Sequence, residues 1–146
     1  MLAAVAVTGA LVVGCSGRTS VVPNPDPALR KSSAQFAADA ARRSYPTDAP
    51  RGGEAVARAE VGYQIDRINF VNLSDEDWTG AEVWVNEKYV CYLPNAPKGT
   101  LKLIQFQMLY DDSGNYFPVN NNKVMVNKVE VFKDGTLYDV PVRPAY

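Results

Sequence analysis

The chain contains no histidine. That removes the commonest general base, the commonest zinc ligand and the Ser–His and Cys–His nucleophile pairs. Carboxylate-based glycosidases manage without histidine, so a pair such as Asp77 with Glu82, Asp111 or Asp112 is the catalytic route still open. Cysteine is nearly absent as well. Two residues, Cys15 and Cys91, make no disulfide framework. The formal net charge is −1, and seven basic and five acidic side chains over residues 16–60 give way to eight and eleven over 61–146. No clustered basic surface follows from that distribution, which argues against nucleic acid as a partner. No apolar run reaches the twenty or so residues that a membrane-spanning helix needs.

An apolar run near the start extends from Leu2 to Gly14, thirteen residues. As a helix it would span about 20 Å, against a hydrocarbon core about 30 Å thick. Its length suits the apolar region of a cleaved export signal. The usual basic start is missing, because the first Lys or Arg is Arg18. Either the amino terminus supplies the positive charge or the true start lies upstream.

The stretch ends in Val12-Val13-Gly14-Cys15, which resembles the lipobox of bacterial lipoproteins. The resemblance implies cleavage after Gly14, thioether lipidation of Cys15 and residence in the cell envelope, exported and lipid-anchored. Two acyl chains are enough for a stable anchor. An uncleaved anchor and a signal cut elsewhere are the alternatives. With Cys15 acylated, Cys91 has no partner within the chain. It lies on the same strand face as Tyr89 and Leu93, and reads as a small buried hydrophobe.

Five segments follow from composition. Residues 1–14 read as a signal peptide, and 15–26 as the lipidated cysteine with a linker broken by Gly17, Pro23 and Pro25. Residues 27–45 read as an α-helix, with Asp26 as N-cap and Pro27 in the first turn. Its apolar face, Leu29, Phe36, Ala37, Ala40 and Ala41, is thin, so the helix is expected to pack lightly on the domain. A membrane-lying helix is the alternative. Residues 46–60 read as a second linker or draped loop.

From residue 61 onward, short alternating segments with turn signals every eight to twelve residues indicate β structure. The expected fold is mainly β: a small antiparallel sandwich, Ig-like or an open barrel, after one helix and a signal segment. Its expected core is Ile68, Phe70, Val83, Val85, Tyr89, Cys91, Leu93, Leu103, Val129, Val131 and Val140. Asn86-Glu87 and Asp134-Gly135 mark hairpin turns, Asn120-Asn121-Asn122 is turn-like, and Pro141 suggests an edge.

The motif Asn72-Leu73-Ser74-x-x-Asp77-Trp78, followed by Val83-Trp84-Val85-Asn86-x-x-Tyr89-Val90, resembles small β-sandwich domains of uncharacterised bacterial lipoproteins from planctomycete-like lineages. The resemblance covers roughly residues 61–142. It implies architecture and compartment, and carries over no catalytic residue.

Two acidic loops invite a metal reading, with Asp75, Asp77, Asp111 and Asp112 as weak Ca²⁺ ligands. Neither loop has EF-hand spacing, and solvated turns account for both. No cofactor is implied. Trp78, Trp84 and Tyr92 are candidate contacts for a ligand or partner, although Trp84, out of phase with Val83 and Val85, suits packing beneath the helix. The leading expectation is a non-catalytic, lipid-anchored interaction or structural module with an envelope protein as partner. A module binding cell-wall glycan or peptidoglycan through exposed aromatics is the alternative, and a small carboxylate hydrolase is a third reading.

Overall fold

The computed structural model describes residues 20–119 and 123–145. Cys15, the signal segment and the Asn120–Asn122 turn lie outside the described residues. The protein is mainly β, with two sheets forming a sandwich and one helix beside them. One sheet has five strands, β1 (Arg51–Glu54), β4 (Trp78–Val85), β5 (Tyr89–Ala96), β7 (Val129–Lys133) and β8 (Thr136–Val140), in the order β1-β8-β7-β4-β5. The other has four, β2 (Ala57–Gly62), β3 (Arg67–Asn72), β6 (Leu101–Gln105) and β9 (Val142–Pro144), in the order β6-β3-β2-β9. The hairpin β4–β5 on one sheet, with β6 crossing back to pair with β3, gives an immunoglobulin-like Greek-key order.

Alternation explains the core. Val83 and Val85 of β4 pair with Cys91 and Tyr89 on one side and with Val131 and Val129 on the other, and all six are buried. Ile68 and Phe70 of β3 are fully buried, as is Ile104 of β6. Two tight turns fix the hairpins. Asn86 and Glu87 adopt φ of 53° and 57°, and Asp134 and Gly135 adopt 50° and 75°. Positive φ at both central residues is what a type I′ turn requires.

The sandwich is not wholly antiparallel. β1 pairs with β8 in parallel and β9 pairs with β2 in parallel, because the chain changes sheets between each strand and its neighbour in sequence. Pro141 sits at the β8–β9 crossing, where its carbonyl accepts from the Ala59 amide. The expected linker over 46–60 therefore contains β1 and most of β2. Its first part is draped: the chain crosses from the β5 side to β8, where the Pro50 carbonyl accepts from the Leu137 amide.

The helix is shorter than expected and more deeply embedded. Asp26 does cap a turn that begins at Pro27, but this is a 3-10 turn ending at Leu29. α1 runs Ser33–Ala41, and its own cap is a box in which Ser32 and Gln35 exchange side-chain and backbone hydrogen bonds. The intervening residues are held extended, with Val22 donating to the Lys31 carbonyl. Leu29, Phe36 and Ala40 are buried in the same core as the sheets, and α1 packs on β5 and on the Phe106–Met108 turn. Each such Leu or Phe contributes roughly 1.5–3 kcal/mol by transfer. Its apolar face is thus covered by the domain, which leaves nothing to lie on a membrane.

The first linker is also shorter than expected. From Val22 the chain is built in, with Asn24 buried and donating to the Leu103 carbonyl at 2.8 Å. Lys102 and Asp26 meet at 2.6 Å on this open side. That pair explains a reversed phase in β6: Lys102 and Ile104 face inward and Leu103 is only half-buried. Elsewhere, Tyr63–Ile65 is a 3-10 turn closed by Asp66 at φ 48°, β6 stops at Gln105, and Val124–Lys128 precedes β7 as irregular chain.

Candidate functional site

β3 ends in Asn72, whose fully buried side chain organises one end of the sandwich. Its Nδ2 donates to the carbonyls of Glu76 (2.7 Å) and Ala96 (2.9 Å). Its Oδ1 accepts from the Ser74 amide (2.9 Å) and hydroxyl (2.7 Å). Asp77 then accepts from the Lys98 amide at 3.0 Å. Both polar ends of one amide are satisfied, and the loop has little freedom left. The chain enters β4 with Trp78 packed on Phe70, ring centroids 6.2 Å apart.

Trp78 forms the floor of a groove of about 400 Å³ with Tyr138 and the aliphatic part of Lys133. The Lys133 ammonium stands 5.1 Å from the Trp78 ring centre and 5.0 Å from that of Tyr138. Such cation–π contacts are worth about 0.5–1 kcal/mol at exposed sites. Val56 and Leu73, both exposed, and Glu54, Asp75 and Glu76 make the rim. Trp78 is itself buried, so the accessible apolar surface is that of Val56, Leu73 and the half-buried Tyr138, with one cation and three carboxylates around it, a surface suited to binding.

The other candidate aromatics lie elsewhere. Trp84 is 3% exposed on the outer face of the five-stranded sheet, edge-on to Tyr45 at 5.5 Å. It is covered by the strap that follows α1 rather than by the helix body. Tyr92 is half-buried under Arg43, whose guanidinium carbon is 4.2 Å from the ring centre. Trp78, Trp84 and Tyr92 therefore form no common platform, since the folded chain covers the last two.

The acidic residues are separated as well. Asp75 and Asp77 stand where β4 begins, whereas Asp111 and Asp112 stand beside the β4–β5 turn, near Lys88. Eight residues of strand lie between, about 26 Å. Asp111 is buried and accepts from the amides of Ser113 (3.0 Å) and Asn115 (2.8 Å). Burial alone would raise its carboxyl, but those amides and the Lys88 charge outweigh it and hold the group below the usual range. Asp112 accepts from the Ser113 hydroxyl. Among the described residues no three His, Cys, Asp or Glu side chains gather as a metal site. Glu82 is raised by burial, against the pull of Arg43 and the nearby Trp84 indole, and pairs with Arg43 at 3.6 Å. Glu82 lies five strand positions from Asp77, about 16 Å along the chain. Cys91 is buried and its thiol is pushed up to about 12, so it behaves as a hydrophobe.

One buried group escapes sequence reasoning. Glu130 is fully buried between Val129 and Val131, on the outer face that alternation assigns to solvent. Tyr45 donates to it at 2.8 and 3.0 Å, Arg51 at 2.6 Å, and Lys128 lies at 3.5 Å. Burial and the Glu130 carboxylate together raise the Tyr45 phenol. This cluster fastens the strap across the sheet. A carboxylate at one strand position gives no sign that residues 42–51 will cover it.

The sequence motif now has a physical content. Asn72, Ser74 and Asp77 tie the loop, Val83 and Val85 face the core, and Trp84 receives the strap. Asn86 turns the hairpin, accepting from the Asn127 and Lys128 amides, and Tyr89 stacks on Phe117 at 5.3 Å. Most of the motif's residues are engaged inside the fold, and Leu73 stands exposed at the groove rim. No protein-family model, curated protein or solved structure matches the chain. Among the described residues, no helix is long and apolar enough to cross a membrane.

Proposed function

We propose that the chain is a lipid-anchored protein of the bacterial cell envelope whose sandwich serves as a non-catalytic interaction or structural module. The observation that carries this reading is Cys15, at the end of a signal-length apolar stretch and six residues before the chain joins the fold at Val21. The likeness of the Asn72–Val90 motif to envelope lipoproteins supports the same compartment. Mass spectrometry of the exported protein tests it, with a diacylglyceryl-modified Cys15 at the mature amino terminus as the expected result. An unmodified Cys15 overturns it. Crosslinking in intact cells then names the envelope partner.

The groove over Trp78 and Tyr138 favours a second reading, binding of cell-wall glycan. Retention on insoluble peptidoglycan that falls when Leu73→Ser and Tyr138→Ala are introduced would support it. Unchanged retention would remove it.

A further inference from the structure

Both ends of the sandwich expose apolar side chains: Val56, Leu73 and Leu101 at the groove end, and Tyr63, Ile65, Tyr116 and Met125 at the other. Exposure alone does not choose between them. The route of the amino-terminal segment does. Asp26 sits at Lys102, Asn24 at Leu103 and Pro23 at Gln105, so the chain, read backwards, climbs β6 toward its last residue. Gln105 pairs with Arg67, the first residue of β3, just after the Tyr63–Ile65 turn. Gln105 and Ile65 line one crevice, and the Tyr63 hydroxyl accepts from the Val126 amide beside Met125. Val21, itself exposed, therefore leaves the fold at the Tyr63–Ile65 end.

The geometry points to this end as a lipid-facing surface: the Tyr63–Ile65 turn, with Met125 and Tyr116 beside it, rests on the bilayer into which Cys15 is anchored. The inference builds on the anchored reading above. Six residue steps separate Cys15 from Val21, a reach of about 20 Å at most. β4 alone is about 26 Å long, so a tether fixed at one end is too short to turn the groove end down onto the surface. Tyrosine rings suit the headgroup level, and Ile65 and Met125 supply apolar bodies that enter the acyl boundary. A depression of about 470 Å³ between Tyr63, Ile65, Pro144 and Ala145 adds apolar area at the same end. The groove over Trp78 then faces away from the membrane.

The test uses the full lipidated chain in vesicles of phosphatidylethanolamine and phosphatidylglycerol. Ile65→Cys and Leu73→Cys, both at exposed positions, each carry a polarity-sensitive fluorophore; Cys91 is buried and Cys15 acylated. The label at 65 is expected to shift to the blue and lose emission to quenchers placed near the lipid headgroups, and the label at 73 is expected to do neither. Flotation with the vesicles reads the anchor separately. Protein that does not float defeats the anchored reading. Protein that floats with both labels in water, or with both quenched, overturns the lipid-facing end while leaving the anchor intact. A label at 65 shielded in native membranes but not in pure lipid makes the occupant a protein and also overturns it.

Discussion

The two ends of the sandwich lean on different contacts. At the groove end a single amide, Asn72, satisfies four hydrogen bonds and fixes the loop by direction. At the Tyr63 end Asn86 and Asp111 also accept backbone amides, but a cluster of rings fills the interior beneath them. Phe117, fully buried, packs on Phe106 at 4.7 Å and on Tyr89 at 5.3 Å, and Tyr63 closes over Phe106 at 6.2 Å. Hydrogen bonds are strict about geometry and chemistry, whereas apolar contacts ask for volume. The polar end is therefore specified by residue identity and the apolar end by size.

The largest effect is expected from Phe117→Ala, which leaves a cavity at the apolar end. It should cost about 3–5 kcal/mol in chemical denaturation. Phe117→Leu should restore most of that loss, since a hydrophobic side chain of adequate size is what the site demands. Asn72→Ala at the polar end should cost about 2–3 kcal/mol by stranding the Ala96 and Glu76 carbonyls. Here Asn72→Leu should give no rescue in the same denaturation experiment, because volume does not replace a donor. Equal rescue at both ends would erase the distinction.

Acid should act on the Tyr63 end through Asp111. Its carboxyl lies below the usual aspartate range in the folded protein. A depressed group contributes stability that is fully present above its unfolded value and is lost as pH falls through the folded value. Protection of the Ser113 and Asn115 amides, measured relative to their intrinsic exchange rates, should therefore fall below about pH 4, and Asp111→Asn should flatten that dependence. The smallest effect is Lys133→Ala in the groove, about 0.5–1 kcal/mol, read as a small shift in thermal midpoint. A loss of several kcal/mol there would make the groove a structural feature rather than an open surface.

This contrast also separates what could be read from the chain. The Asn72–Trp78 motif stood out because polar residues with a directional task have few substitutes, although the sequence did not say that the task was internal. Of the rings at the opposite end, Tyr89 belonged to the motif, whereas Tyr63 and Phe106 carried no comparable signal. Of the candidate contacts, Trp78 reached a groove, while Trp84 and Tyr92 met the strap and Arg43. The burial of Glu130 and of Lys102 was not legible in the chain, for one shared reason. A charged side chain is buried when a distant segment brings its partner, here Tyr45 and Arg51 over the outer face or Asp26 beside β6, and periodicity within a strand contains no information about that segment.

By itself the sequence determined the sandwich, its two hairpin turns, the inertness of Cys91 and the expectation of an anchor at Cys15. Those rest on local chemistry: alternation, positive-φ turn residues, and an apolar stretch of limited length. Only the tertiary structure decided that residues 22–50 belong to the domain, that two edge pairings run parallel, and which end of the sandwich the tether leaves. These depend on contacts between residues some 80 positions apart, such as Tyr45 with Glu130 and Asn24 with Leu103. Folding creates such contacts, and no single stretch of chain encodes them.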